Sequence, residues 1–311
     1  MTHITEHKRI HLIGIGGCSM SGLASILKNR GYYVQGSDRA ESPFTERLKE
    51  LGVPVFIGHD AKNIGDCDLI IFSAAIKSDN VERAEAKRRG IPELERSEAL
   101  GQLTEGYESV VGIAGCHGKT TITSMLALIC EQGGPDATVH IGGFVDFLNG
   151  GVRLGAHDMF ITEACEYVES FLTLRPTIAL INNIDNDHLD YYGDMEHIVA
   201  AFKKFAALLP ENGLLIGNTD DFRVRALMAE HTGRKLSYGM KDADYTPANI
   251  NYDDNGCPGF DIMFRGEKLM HIQLRIPGEH SVMNAIAAAA VAREIGADDK
   301  CIVSALNAFR N

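Results

Sequence analysis

Residues 109–132 read SVVGIAGCHGKTTITSMLALICEQ, and the fold of the chain turns on them. The opening SVVGIAG is small, apolar and β-branched, the pattern of a short strand buried on both faces. Gly115, Cys116, His117 and Gly118 break that run, after which Ile122, Met125, Leu126 and Ile129 recur at helical spacing. A strand, a glycine loop and a helix in this order give the context of a phosphate-binding loop. Backbone N–H groups and the helix N-terminus cradle phosphates, Lys119 reaches the terminal ones, and the Thr120 hydroxyl is placed to ligate Mg2+. The strict spacing of such loops puts the first glycine at position 113, whereas this chain has Gly112, Ile113 and Gly115. A glycine-rich turn with an incidental lysine is the bland alternative, and the flanking strand and helix count against it.

Toward the N-terminus the same grammar repeats. RIHLIGIGG (9–17) reads as a buried strand ending in glycines, with Met20, Leu23, Ala24 and Leu27 at helical spacing behind it. A strand at 33–35 runs into Gly36, Ser37 and Asp38, a helix follows at 43–51, and LIIFSAA (69–75) is another buried strand. Such alternation predicts an α/β fold with a parallel, doubly wound sheet. The polar stretch LGQLTEGYE (100–108) is the expected boundary, giving a Rossmann-like domain at 1–104 and a P-loop domain at 105–311. Beyond the loop, strands are expected at 158–163, 177–184 and 213–217, a helix at 195–209, hairpins within 235–276 and an Ala-rich helix at 280–295.

Composition agrees with two globular domains. A chain of 311 residues with 45% hydrophobic content is long for a single core. It has neither an 18-residue apolar run nor the apolar h-region of a secretory signal, so a cytoplasmic location is expected. Seven cysteines, an odd number without CxxC pairing, argue against a disulfide framework or a zinc knuckle. A net charge of -12 argues against nucleic-acid and anionic-membrane partners, so a phosphate-bearing ligand has to be held by local devices.

Two further segments place polar groups at strand ends, where ligands gather in open parallel sheets. DMFITE (158–163) delivers Glu163, with Glu166 three residues on; TIALINNI (177–184) leads to Asn182, Asn183, Asp185, Asp187, His188 and Asp190. Mg2+ favours oxygen ligands, so Glu163 beside Thr120 is chemically reasonable, whereas a lone histidine such as His188 more often serves structure. In the first domain, Gly14 and Gly16 with Asp38 at the next strand end imitate a dinucleotide fingerprint, but the third glycine is missing.

Five blocks, in order, resemble the Mur ligase family. HLIGIGGCSMSGLA and FSAAIKSDN are similar to the opening of its L-alanine-adding member, and GCHGKTT is similar to the family's phosphate loop with Cys116 in place of threonine. EACEYVESF and NIDNDHLDYY resemble its two metal motifs, and PGEHSVMNAIAAAAVA its adenine element, with Ser281 replacing an asparagine. The resemblance implies ATP-dependent joining of L-alanine to UDP-N-acetylmuramate through an acyl phosphate, with ATP and Mg2+ required. Lys119, Glu163 and His188 carry the catalytic roles, and Thr120, Glu163 and His188 the metal. Gly115, Cys116, His117, Gly118, Lys119, Thr120, Thr121, His280 and Asn284 bind ATP. Gly16, Gly17, Ser19 and Met20 meet the UDP diphosphate, while Ser37, Asp38, His59 and Ser73 meet uridine or ribose. Some relatives use a carbamylated lysine, for which Lys203 and Lys204 are the nearest residues. The family continues into a third, amino-acid-binding domain, so the chain is expected to bind nucleotides without completing the ligation, L-alanine entering through that further domain. A nicotinamide-dependent oxidoreductase leaves the GKTT loop idle, and a P-loop kinase leaves the first domain unexplained. A non-catalytic protein on the ligase scaffold and a murein tripeptide ligase are the nearer alternatives.

Overall fold

Strand β1 (Arg9–Ile13) buries Ile10, Leu12 and Ile13 completely, as a central parallel strand covered on both faces must. The computed structural model describes residues 2–310, the side chain of His157 excepted. Contacts divide the chain into two units, Met1–Gly106 with His140–Leu154, and Tyr107–Val139 with Gly155–Asn311.

Unit 1 continues through α1 (Cys18–Asn29), β2 (Tyr33–Asp38), α2 (Pro43–Glu50), β3 (Val55–Ile57), β4 (Leu69–Phe72), α3 (Val81–Arg89), β5 (Glu93–Glu95) and α4 (Arg96–Thr104). Its five strands pair in the order β3-β2-β1-β4-β5, all parallel. Local chemistry fixes the helix starts. Ser42 caps α2 through the Thr45 N–H with proline at the first position, and Asn80 caps α3. The stretch 100–104, read above as linker, is helical, because Leu100 and Leu103 recur on one face and bury it.

Unit 2 opens with β6 (Ser109–Ala114) and α5 (Lys119–Glu131), and β7 (Ala137–Val145) leaves it again. From His140 onward β7 and then β8 (Gly150–Arg153) belong to unit 1, where β8 packs on α1. Unit 2 resumes with β9 (Ala156–Glu163), β10 (Ile178–Ile181), α6 (Leu189–Tyr192), α7 (Met195–Ala206), β11 (Leu214–Asn218), α8 (Phe222–Glu230) and β12 (Arg234–Tyr238). Three antiparallel neighbours, β13 (Tyr245–Tyr252), β14 (Pro258–Phe264) and β15 (Glu267–Gln273), follow, then α9 (Glu279–Glu294) and α10 (Asp299–Ala308). Strands β9, β6, β10, β11 and β12 are parallel neighbours, so the loop after β6 lies between the C-terminal ends of β9 and β10. Residues Ala285–Ala292 of α9 are all fully buried, and their small side chains let α9 pack closely against α5. Among the described residues no helix is long and apolar enough to cross a membrane.

Candidate functional site

The loop after β6 folds as its glycines demand. Gly115 (φ 140) and Gly118 (φ 84) occupy backbone conformations that L side chains rarely adopt. Gly118 is also the N-cap of α5, with no side-chain cap bond to the helix's first N–H groups. An uncapped N-terminus keeps donors available for an anion. The neighbouring strand end pins the loop. Asn183 Oδ1 accepts from His117 N at 2.8 Å, and the Asn182 and Asn183 amides donate to His117 O at 2.9 and 3.0 Å. Cys116 Sγ accepts from Asp185 N at 3.1 Å, and burial pushes its thiol up to about 11, which keeps it protonated.

Lys119 begins α5 and turns back, donating to Gly115 O and to both Glu166 oxygens, at 3.0 and 2.8 Å. Glu166 is 1% exposed, and Lys119 is the ammonium paired with it. The imidazole of His188 lies 3.6 Å from Glu166 and 3.7 Å from Asp187, and Glu166, Asp187 and His188 bring one ligand atom each within 4.8 Å of one another. The Tyr167 ring packs 4.7 Å from His188, and the Tyr192 hydroxyl donates to Glu166 O. Backbone strain surrounds the cluster, since His188, Val168 and Glu169 all have φ between 53 and 54.

The sequence reading gave Glu163 and His188 to two Mg2+ ions. The described residues that bring ligand atoms within 4.8 Å of one another are Glu166, Asp187 and His188, while Glu163 ends β9 beside Ile113. Thr120 is exposed on the first turn of α5. Lys203 and Lys204 pair with Glu230 and Glu169 at 2.7 and 2.8 Å, and the latter two lysine ammoniums are surface groups. His280 is exposed at the start of α9, whereas Asn284 is buried, with Oδ1 3.4 Å from Asn182 Nδ2. A Cβ on Gly118 would stand 2.6 Å from Asn182 Nδ2 and 2.7 Å from Asn284 Oδ1. Asn284 therefore lies directly beneath the loop. Ser281 turns its hydroxyl to Pro277 O.

In unit 1 the glycine turn after β1 starts α1 with Gly17 as an equally uncapped N-cap. Gly14 (φ 83) and Ile15 donate to Ser37 O, and Gly16 N donates to Asp38 Oδ2 at 2.8 Å, so Asp38 braces the turn from β2. The Met20 side chain is buried. Ser19 Oγ accepts from Arg96 at 3.2 Å and lies 3.2 Å from His140 Nε2. Ser37 is fully buried and donates to Glu82 at 2.5 Å; His59 Nδ1 stands 3.2 Å from each of them. Burial alone raises the Glu82 carboxyl, but hydrogen bonds from His11, Ser37 and Asn63, with the His11 charge, bring it down to about 2. Ser73 Oγ accepts from Ala75 N at 3.4 Å. Arg96, Glu82 and His140 escaped the sequence reading because no local motif marks them.

Known proteins with this arrangement have names. Residues 9–108 match the family model described as Mur ligase family, catalytic domain, and residues 113–292 the one described as Mur ligase middle domain. The chain is 44% identical over 311 residues to the UDP-N-acetylmuramate--L-alanine ligase of Alkaliphilus metalliredigens (strain QYMF), covering 99% of this chain and 68% of the relative. It is 43% identical over 304 residues to the protein of that name from Clostridium botulinum (strain Langeland / NCTC 10281 / Type F), covering 98% and 66%. The chain thus spans about two thirds of the length of these curated relatives. Among solved structures it is similar to UDP-N-acetylmuramate-alanine ligase from Thermotoga maritima, with a TM-score of 0.86 and 29% identity over 98% of this chain and 69% of that one. It is equally similar to UDP-N-acetylmuramate:L-alanyl-gamma-D-glutamyl-meso-diaminopimelate ligase from Neisseria meningitides, with a TM-score of 0.86 and 29% identity, covering 98% and 99%. Two family models matched in tandem, and a relative at 44% identity along nearly the whole chain, leave one assignment: the chain belongs to the Mur ligase family.

Proposed function

We propose that this chain handles the sugar nucleotide and ATP for the joining of L-alanine to UDP-N-acetylmuramate, a cytoplasmic step in making peptidoglycan precursor. The observation that carries the reading is Lys119 held against buried Glu166, next to His188 and Asp187, at an uncapped helix N-terminus. In that reaction the lactyl carboxylate attacks the γ-phosphorus of ATP and ADP departs. The amine of L-alanine then attacks the acyl carbon, phosphate leaves, and the amine loses a proton.

Each residue has work in this scheme. The glycine loop and the first turn of α5 offer N–H donors to the nucleotide phosphates, and Lys119 neutralises charge on the transferred group. Two carboxylates and an imidazole suit a divalent cation, and Glu166, Asp187 and His188 would hold it, with Thr120 as a further oxygen. Bound there, Mg2+ would supply charge stabilisation for the phosphoryl oxygens. Lys119, paired with Glu166 here, would be the cation that meets the phosphates, and Glu166 would then be one of the oxygens available to the divalent ion. In unit 1, the glycine turn with Gly17, Ser19 and the backbone of Met20 offers donors to the diphosphate, and half-buried His59, beside Ser37, is the group offered to a ribose or base.

The equal likeness to the Neisseria ligase supports a second reading, in which a tripeptide rather than L-alanine is the acceptor. Calorimetric titration with UDP-N-acetylmuramate and with an Mg-ATP analogue tests the common part, NADH serving as control. Sugar-nucleotide binding together with Lys119-dependent nucleotide binding is expected; binding of NADH alone overturns the proposal. Product analysis with L-alanine and with the tripeptide separates the two acceptors.

A further inference from the structure

Tyr238 ends β12 and is fully buried, yet it carries a hydroxyl, and a buried phenol needs a partner. That partner is Asn182 Oδ1, at 2.6 Å. Burial raises the Tyr238 pKa well above its ordinary value, so the phenol keeps its proton and donates. With its oxygen engaged, the Asn182 amide presents its N–H to His117 O at 2.9 Å. Asn182 is itself 5% exposed, so a misturned amide would set two oxygens against each other where water cannot separate them.

The peptide after His117 is planar and trans, so its carbonyl and the next N–H point in opposite directions. A His117 carbonyl drawn inward to Asn182 and Asn183 therefore sends the Gly118 N–H outward, to the side a phosphate approaches. Gly118 can follow because it has no Cβ; one there would strike the Asn182 and Asn284 amides at 2.6 and 2.7 Å. We infer that Tyr238 and Asn182 form a positioning relay for the phosphate loop, in which Tyr238 fixes the Asn182 amide and the amide orients the His117–Gly118 peptide for nucleotide binding. The inference rests on reading Gly115–Thr121 as a nucleotide loop.

The experiment is a double-mutant cycle on the full chain, titrated with Mg2+ and the β,γ-imido analogue of ATP. Tyr238→Phe removes one oxygen and keeps the ring, and is expected to weaken binding about fivefold, the worth of one neutral hydrogen bond. Asn182→Ala is expected to weaken it at least as much, and adding Tyr238→Phe to it to change nothing further. Asn182→Asp, which keeps the volume and the acceptor but removes the N–H, is expected to behave like Asn182→Ala. Affinity for UDP-N-acetylmuramate stays at the parent value in every variant, which separates positioning from a general loss of structure. Parent-like nucleotide affinity in Tyr238→Phe, or equal losses from Tyr238→Phe with and without Asn182, overturns the relay alone. Nucleotide binding that is absent in the parent chain, or indifferent to Lys119→Ala, overturns the nucleotide-loop reading and the relay with it.

Discussion

The two glycine turns of this chain share one backbone device and differ in how charge is placed around it. Each follows a buried parallel strand and ends in a glycine N-cap without a side-chain cap bond, Gly17 before α1 and Gly118 before α5. Around the first turn the buried polar group is His140, which burial holds down to about 4, the bond to Ser19 O opposing this and the Arg96 charge adding to it. Around the second it is an ion pair, Lys119 with Glu166. The first turn is thus built of backbone dipoles braced by Asp38, with the Arg96 guanidinium on Ser19, while the second has the Lys119 ammonium inside the loop itself. A diphosphate that is only held needs the former; a phosphoryl group that is transferred needs the latter.

The sharpest way to break this contrast is to remove the charge. Lys119→Ala is expected to lower affinity for Mg-ATP analogues by about 100-fold or more, two lost charge-assisted contacts at roughly 1.5 kcal/mol each, and to leave UDP-N-acetylmuramate binding unchanged. It also strands Glu166 as a buried carboxylate, at a cost of about 3 kcal/mol to folding. Adding Glu166→Gln should recover most of that stability, read by thermal unfolding, without recovering nucleotide binding. If stability and binding return together, the pair is structural only and the contrast fails.

A smaller effect separates the two N-caps. Gly118→Ala meets both a left-handed backbone (φ 84) and amide atoms at 2.6 and 2.7 Å, so it is expected to weaken nucleotide binding about thirtyfold, equivalent to roughly 2 kcal/mol of strain and overlap. Gly17 has φ -72, and a Cβ there meets only Gly14 O, at 3.5 Å. Gly17→Ala is therefore expected to leave the fold intact and to change sugar-nucleotide affinity less than threefold, within roughly 0.5 kcal/mol. Equal losses for the two substitutions would show that the turns are held alike.

What could be read in the sequence follows the same line between local and distant causes. The strand, loop and helix of 109–132 were legible because glycines and 3.6-residue spacing are local signals. The helical character of 100–104 was not, since its polar look hid Leu100 and Leu103 on one face. Residues 140–154 return to unit 1, a tertiary fact that no window of sequence carries. That Glu166 lies beside His188 depends on the turn after β9, where left-handed Val168 and Glu169 accompany a buried Glu166, a tertiary feature that the motif spacing does not carry. Asn182 was visible as a polar residue at a strand end, but its tie to Tyr238 spans 56 residues and shows only in the fold.

The smallest expected effect is a pH dependence confined to the first turn. His140 has a folded pKa of about 4, below its ordinary 6.5, so folding favours the neutral imidazole. Its contribution to stability is fully present above pH 6.5 and is lost as pH falls from 6.5 toward 4. By pH 5.5 the loss is about 1 kcal/mol. Glu82, with a folded pKa of about 2 against an ordinary 4.5, contributes above 4.5 and loses that only below it, so the two groups act in separate windows. Thermal unfolding at pH 7.5 and pH 5.5 should show a fall in the midpoint that His140→Gln removes, while the fall below pH 4.5 persists. Among the described residues the second turn has no fully buried histidine, so nucleotide binding there should not follow the His140 step. A pH step that survives His140→Gln would assign it to another group and remove the buried imidazole from the comparison of the two turns.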